Sequence, residues 1–185
     1  MNEAAKKGKK KWYTILASGQ FKNCAIGEVP CYTPDSLIGK TLWVNLAHVS
    51  GDLKDHSIRV RFKIKSITGD KAETDIIGYE LLNAYIKRIV RPARDRIDDS
   101  FIAVSKDNVN VRLKTLFLTR AKVKNSVARA IMLNGREELK NALSKNDFDD
   151  FIYEVISNRL QRGTKGILSK IYPLSSVDIK AVVRN

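Results

Sequence analysis

The residue types that carry most enzyme chemistry are scarce in this sequence. It has two histidines, His48 and His56, and two cysteines, Cys24 and Cys31. Neither histidine falls in a known nucleophile frame with a Ser or Cys, and no G-x-S-x-G occurs. The four residues together could in principle ligate zinc. Their spacings, C-x6-C and H-x7-H, lack the short knuckle that structural zinc sites prefer. Asp98 and Asp99, or Asp147, Asp149 and Asp150, could hold a metal in a nuclease. The second group stands at a helix start, where acids suit the macrodipole. Gly163-Thr164-Lys165-Gly166 has the flavour of a phosphate loop without its spacing. The reading is therefore no catalytic residues, no metal and no cofactor.

The chemistry that is abundant is cationic. Among 185 residues, 34 Lys and Arg face 20 Asp and Glu, a net charge of +14. Such a chain attracts polyanions, because each neutralised phosphate releases counterions. The charge is unevenly placed. Residues 1–11 hold five lysines and one acid, and residues 108–136 hold seven cations and no acid. Residues 137–154 invert this, with six acids and two lysines. Basic clusters interleave with aromatics at Lys9–Lys11 beside Trp12 and Tyr13, at Lys87–Arg96 and at Arg112–Arg129. Cations position a phosphate backbone, while Trp and Tyr either stack bases or anchor the first strand. A membrane-surface role is weaker, because the cations do not line one amphipathic helix.

These groups need a scaffold. The length suits one domain or a little more and buries a core without disulfides, so a reduced, cytosolic setting is expected. No apolar run approaches the roughly 18 residues of a membrane span, and no signal-peptide core follows the basic start. Residues 1–11 read as a disordered basic arm and 12–185 as a single globular domain. Ser57–Ile67 alternates Ile58, Val60, Phe62 and Ile64 with Arg59, Arg61, Lys63 and Lys65, a strand with one cationic face. It turns at Gly69 into a second strand. Glu80–Val90 has helical spacing. Ile97–Val104 and Val109–Leu118 form a second hairpin. A helix near Ser126 is expected to be interrupted or ended at Asn134-Gly135. A helix opened by Asp147 should end at Arg162 with Gly163 just past it, followed by a short helix near Ile167–Ile171 and a closing strand at Ser176–Val183. In that strand Val177, Ile179, Ala181 and Val183 share one face. The order predicts α+β, a curled sheet or barrel with helices, the last strand returning to the sheet.

The chain resembles the archaeal and eukaryotic small-ribosomal-subunit protein family called "three-a", protein one of the eukaryotic-type small-subunit set. The matching pieces run in order over most of the chain. They are Lys11-Trp12-Tyr13, Ile26-Gly27-Glu28, Leu37-Ile38-Gly39-Lys40-Thr41 and Asn45-Leu46-Ala47-His48 with Ser50-Gly51-Asp52. Phe62-Lys63-Ile64 with Gly69, Gly78-Tyr79-Glu80-Leu81, Tyr85 through Arg91 and Arg96-Ile97-Asp98 follow. Val111-Arg112-Leu113-Lys114, Thr119-Arg120-Ala121-Lys122 and Ile171-Tyr172-Pro173-Leu174 close the series. Departures include Pro92 and Asp95, where relatives carry more Arg, Ser or Thr, and Ser175-Ser176 in place of an arginine pair. No long basic C-terminal extension follows, which suggests an archaeal or reduced source.

The resemblance implies a structural, non-enzymatic constituent of the small subunit. It places the chain on the platform near the messenger exit and the 3′ region of the RNA, beside other small-subunit proteins. It also implies a small, partly open antiparallel β-barrel with flanking helices. The residues expected on ribosomal RNA are Lys9, Lys10, Lys11, Lys87, Arg88, Arg91, Arg94, Arg96, Arg112, Lys114, Arg120, Lys122, Lys124 and Arg129. The acidic helix from Asp147 should face away from RNA. The alternative is a free-standing OB-like module for single-stranded RNA outside the ribosome.

Overall fold

The computed structural model describes residues 9–17, 21 and 23–184. Most of the expected arm, residues 1–8, lies outside the described residues. The fold is α+β. Its strands are β1 (Lys11–Leu16), β2 (Ala25–Cys31), β3 (Thr41–Asn45), β4 (Ile58–Thr68), β5 (Lys71–Leu81), β6 (Arg96–Val104), β7 (Asn110–Thr119) and β8 (Leu174–Arg184). Its helices are α1 (Leu46–Ser50), α2 (Asn83–Ile89), α3 (Asn125–Lys145), α4 (Phe148–Ile156) and α5 (Arg159–Leu168). The strands form one open eight-stranded sheet in the order β2-β1-β5-β8-β7-β6, with β4 on β5 and β3 on β4. The chain divides into two compact units, Met1–Ile77 and Gly78–Asn185.

In the first unit the alternation of β4 holds. Ile58, Val60, Phe62 and Ile64 are buried, whereas Lys63 and Lys65 are exposed. Gly69, at φ +63, makes the turn into β5 that a side chain would strain. A core cluster joins Tyr13, Ile15, Cys31, Leu37, Ile64 and Ala72. Tyr13 anchors β1 in that core, and its neighbour Trp12 is 62% exposed. The pairing of β1 with β5 is parallel, Thr14 to Lys71 through Leu16 to Glu73, which departs from an all-antiparallel sheet. A parallel pair needs a long crossover, supplied here by β2, β3 and β4.

In the second unit β8 returns between β5 and β7, as the closing alternation predicts. The hairpin β6–β7 pairs Arg96 with Leu118 through Val104 with Asn110. Its turn uses Asn108 at φ +57, a conformation Asn tolerates.

Five sequence expectations change. The helix expected from Glu80 starts at Asn83, because β5 continues through Leu81. α3 runs straight through Asn134-Gly135. Gly135 is buried against Phe117, so the missing side chain makes room for a ring and does not end the helix. The helix expected from Asp147 to Arg162 breaks at Asn158, which is left-handed at φ +56. α5 then carries Gly163 and ends at Leu168, which replaces the short helix expected near Ile167–Ile171. The buried Gln161 covers the break, its Nε2 donating to the Val155 carbonyl at 2.9 Å. Finally, β8 changes phase. Lys114 pairs Ala181 and Thr115 pairs Ile179, so Lys180 is an extra residue. Beyond that bulge Val182 is the buried side chain, not Ala181 or Val183.

Candidate nucleic-acid interface

Strand alternation sorts the charges of the second unit. On β6 and β7, Asp99, Phe101, Leu113 and Phe117 point to the face shared with α3. The opposite face carries Arg96, Asp98, Arg112 and Lys114. Asp99 is buried and takes a bidentate pair from Arg136 on α3, Nε at 2.9 Å and Nη2 at 2.6 Å. That cation of the acid-free run is thus occupied inside the protein. The hydrogen bonds to Asp99 hold the Arg136 guanidinium charged beyond its ordinary range.

On the outward face a hollow of about 320 Å³ is lined by Lys87, Arg96, Lys114 and Lys180 with Glu80. Two of these cations converge on Asp98. Arg96 donates at 2.6 and 3.3 Å, and Lys180 donates at 2.6 Å. Burial alone pushes the Asp98 carboxyl up, but these hydrogen bonds outweigh it and hold it below the usual carboxylate range. Lys87 and Lys114 are the exposed ammonium groups of this hollow.

A second hollow, about 430 Å³, is lined by Arg88, Arg91 and Arg94 with Ile89, Ser175 and Ser176, and among the described residues no acid lines it. Arg88 lies 5.2 Å from the Tyr85 ring centroid. Two loops are laced together beside it. The Thr119 and Asp95 backbones bond at 3.1 Å, and the Asp95 N–H donates to Thr119 Oγ1 at 2.9 Å. The Val123 N–H donates to Asp95 Oδ2 at 2.7 Å. This ties the segment of Arg91 and Arg94 to the segment of Arg120, Lys122 and Lys124. The departure at Asp95 therefore has a physical role: it holds two cationic loops to one another.

The sequence-chosen residues thus divide. Arg88, Arg91 and Arg94 share one hollow, and the Asp95–Thr119 lacing brings in the exposed loop of Arg120, Lys122 and Lys124. Lys87, Arg96 and Lys114 share the other hollow. Arg112 is exposed on β7 and Arg129 on α3, lining neither hollow. Lys9, Lys10 and Lys11 are exposed in the first unit, where Lys10 lies 5.3 Å from the Tyr32 ring centroid. Sequence reasoning missed Lys180, Ser175 and Ser176. Lys180 and Ser175 are extra residues at the two register shifts of β8, which no period reveals. The Ser175 carbonyl accepts from Lys165 Nζ at 2.7 Å.

The residues weighed for catalysis and metal do not gather. His48 is exposed on α1, and His56 Nδ1 lies 2.8 Å from the Leu53 carbonyl. Cys24 is free and exposed; Cys31 is free and buried, 2.6 Å from Ser36 Oγ. Among the described residues no group of three or more His, Cys, Asp and Glu converges. At the acidic helix, the α4 N-terminus is capped from the β6–β7 turn, the Phe148 N–H donating to Asp107 Oδ2 at 3.2 Å.

Asp178 gives this region a pH signature. Burial raises its carboxyl above the usual range, and Ser176 and Lys165 offset that only in part. Burial and the Asp178 charge also raise the Tyr85 hydroxyl. A raised carboxyl keeps its proton to higher pH in the folded state than in the unfolded chain. Its contribution is complete below the ordinary carboxylate pKa and is lost as pH rises through the folded value. Asp178→Asn is therefore expected to be more stable than the parent at pH 7, with the gain gone near pH 3. Denaturant melts at the two pH values test this; an equal effect at both refutes it.

The fold and charge distribution define a class: a strongly basic α+β protein with cationic hollows on the outward side of its second unit. The chain belongs to the Ribosomal S3Ae family, whose profile matches residues 2–183. It is similar to the small ribosomal subunit protein eS1 of Methanobrevibacter smithii, 32% identical over 92% of this chain and 88% of that protein. It is 34% identical to the eS1 protein of Methanopyrus kandleri, over 92% and 83%. For the eS1 protein of Saccharolobus islandicus the identity is 33%, over 92% and 82%.

Proposed function

We propose that this chain is a structural constituent of the small ribosomal subunit that holds ribosomal RNA, with no catalytic step of its own. Family membership and relatives named for the small subunit support the role. The observation that carries the interface is the Asp95–Thr119 lacing, which sets Arg88, Arg91 and Arg94 beside the loop of Arg120, Lys122 and Lys124. Five cations on tied loops, with Arg88 at the end of α2 beside them, suit a phosphate backbone. Lys9–Lys11, Lys87, Arg96, Arg112, Lys114 and Arg129 complete the proposed RNA-binding set. The partners are small-subunit RNA, in its 3′ region on the platform near the messenger exit, and neighbouring small-subunit proteins, in cytoplasmic ribosomes. The finer reading of the sheet as a partly open barrel belongs to this proposal. The one-sided burial of β4 supports it.

Sucrose-gradient fractionation of its native host tests the role. The chain should co-sediment with small subunits and remain there through a high-salt wash. Recovery in the free-protein fraction would favour the OB-like module outside the ribosome instead.

A further inference from the structure

The first unit has a cationic surface that the proposed interface does not use. Its centre is Trp43, on the solvent-facing side of β3 and 43% exposed. Among the described residues β3 pairs only with β4, so Trp43 stands on an open sheet edge. In register it faces Arg61, with Asn45 facing Arg59 and Thr41 facing Lys63. The guanidinium carbons of Arg59 and Arg61 lie 5.5 and 5.6 Å from its ring centroid. Arg61 Nη2 also donates to Thr41 Oγ1 at 3.1 Å, which fixes its plane from a second side. Two acids of β5 are engaged away from the edge. Asp75 holds Lys65 at 3.2 Å, and Glu73 accepts from Ser66 at 3.0 Å. Lys63, next to the arginines, is exposed.

Trp presents a large apolar surface, and two cations beside its ring leave Trp43 43% exposed. An indole beside two guanidinium planes is instead a set of flat surfaces carrying positive charge. Nucleobases stack on aromatic rings and on guanidinium planes alike, and every base has a π-face. A duplex hides those faces in its own stack; a single strand presents them with phosphates spaced along it.

We propose that the β3–β4 face is a platform for single-stranded RNA, with bases stacked on Trp43 and its flanking arginines and phosphates held by Lys63. The site lies within the first unit and shares no residue with the proposed ribosomal-RNA interface.

The chain has two tryptophans, Trp12 and Trp43. Trp12→Phe leaves Trp43 as the sole indole emitter. Titrating that variant with a 12-nucleotide oligouridylate should quench Trp43 saturably, and a duplex RNA of equal charge should not. The quenching should survive Arg88, Arg91 and Arg94 all changed to alanine, which separates this site from the second-unit interface. In the same triple background Trp43→Ala should weaken oligouridylate binding about tenfold, the low-to-middle range for one stacked base, with little change in salt slope. Trp43→Phe should recover most of that loss. Absent quenching, equal quenching by the duplex, or unchanged affinity in Trp43→Ala would each overturn the proposal. Small-subunit co-sedimentation is read independently, so either idea can fail alone.

Discussion

Alanine at Arg88, Arg91 and Arg94 together is expected to flatten the salt dependence of binding to small-subunit RNA by about 2 to 3 units of slope. Each phosphate that goes unneutralised takes roughly 0.7–0.9 from the slope of log K against log salt. The three guanidiniums line one hollow with two serines and, among the described residues, no acid, so none spends its charge on a wall of that hollow. The Arg120, Lys122 and Lys124 triple should give a similar loss. All six together should approach the sum if the two loops hold different phosphates. Arg96→Ala should do far less, because Asp98 already takes its guanidinium, and the change leaves that carboxylate to Lys180 alone. Removing Arg159, Arg162 and Lys170, exposed on or just after α5, should leave the slope within about half a unit. Binding isotherms between about 50 and 200 mM salt read all of this. An unchanged slope in the first triple takes its hollow out of the interface.

What the sequence made legible was whatever depends on period alone. β6, β4 through Lys65 and the first half of β7 alternate, so which face is buried there follows from counting by two, whereas Thr115 to Thr119 of β7 are buried on both faces. The return of β8 to the sheet follows likewise, but its second half does not. The extra residue at Lys180 shifts the phase, exchanging Val182 for Ala181 and Val183 at the core and turning Lys180 toward Asp98. Bulges are set by the partner strand, which a single stretch of sequence does not display. The break at Asn158 was hidden for a related reason. It uses a left-handed Asn, whereas the glycine that looked like a terminator, Gly163, lies inside α5. For the site, composition found clusters and missed commitments. Arg96 and Arg136 are as basic as their neighbours, yet Asp98, two residues along the same strand, claims the first and Asp99 claims the second from across the fold. Asp95 read as a departure from the family pattern, and its value is visible only once Thr119 and Val123 are beside it.

Gly135→Ala is expected to destabilise the protein, although the same change in most helix interiors does the opposite. Ala is favoured over Gly in a helix by about 1 kcal/mol. Here a Cβ would lie 2.6 Å from Phe117 Cζ, 3.0 Å from Cε1 and 3.4 Å from Leu168 Cδ1. A flexible tip would move aside cheaply. Phe117 is a rigid ring at 0% exposure on β7, against a helix that cannot back away without disturbing Ile131 and Leu139, both fully buried. Overpacking of this kind costs about 1–3 kcal/mol. The overpacking term wins, for a net loss of up to about 2 kcal/mol and a fall in Tm of up to about 8 °C, at 2–4 °C per kcal/mol for a chain of this size. The decisive measurement is the sign in a second background. Phe117→Leu removes the ring atoms that the new methyl would strike, at its own cost in core volume. In that background Gly135→Ala should become neutral or stabilising by up to about 1 kcal/mol, since only helix propensity and partial filling of the space remain. A double-mutant cycle therefore gives a coupling of about 1–3 kcal/mol between a β7 ring and an α3 glycine. If Gly135→Ala instead raises Tm with Phe117 in place, the ring is not what requires a glycine at this position.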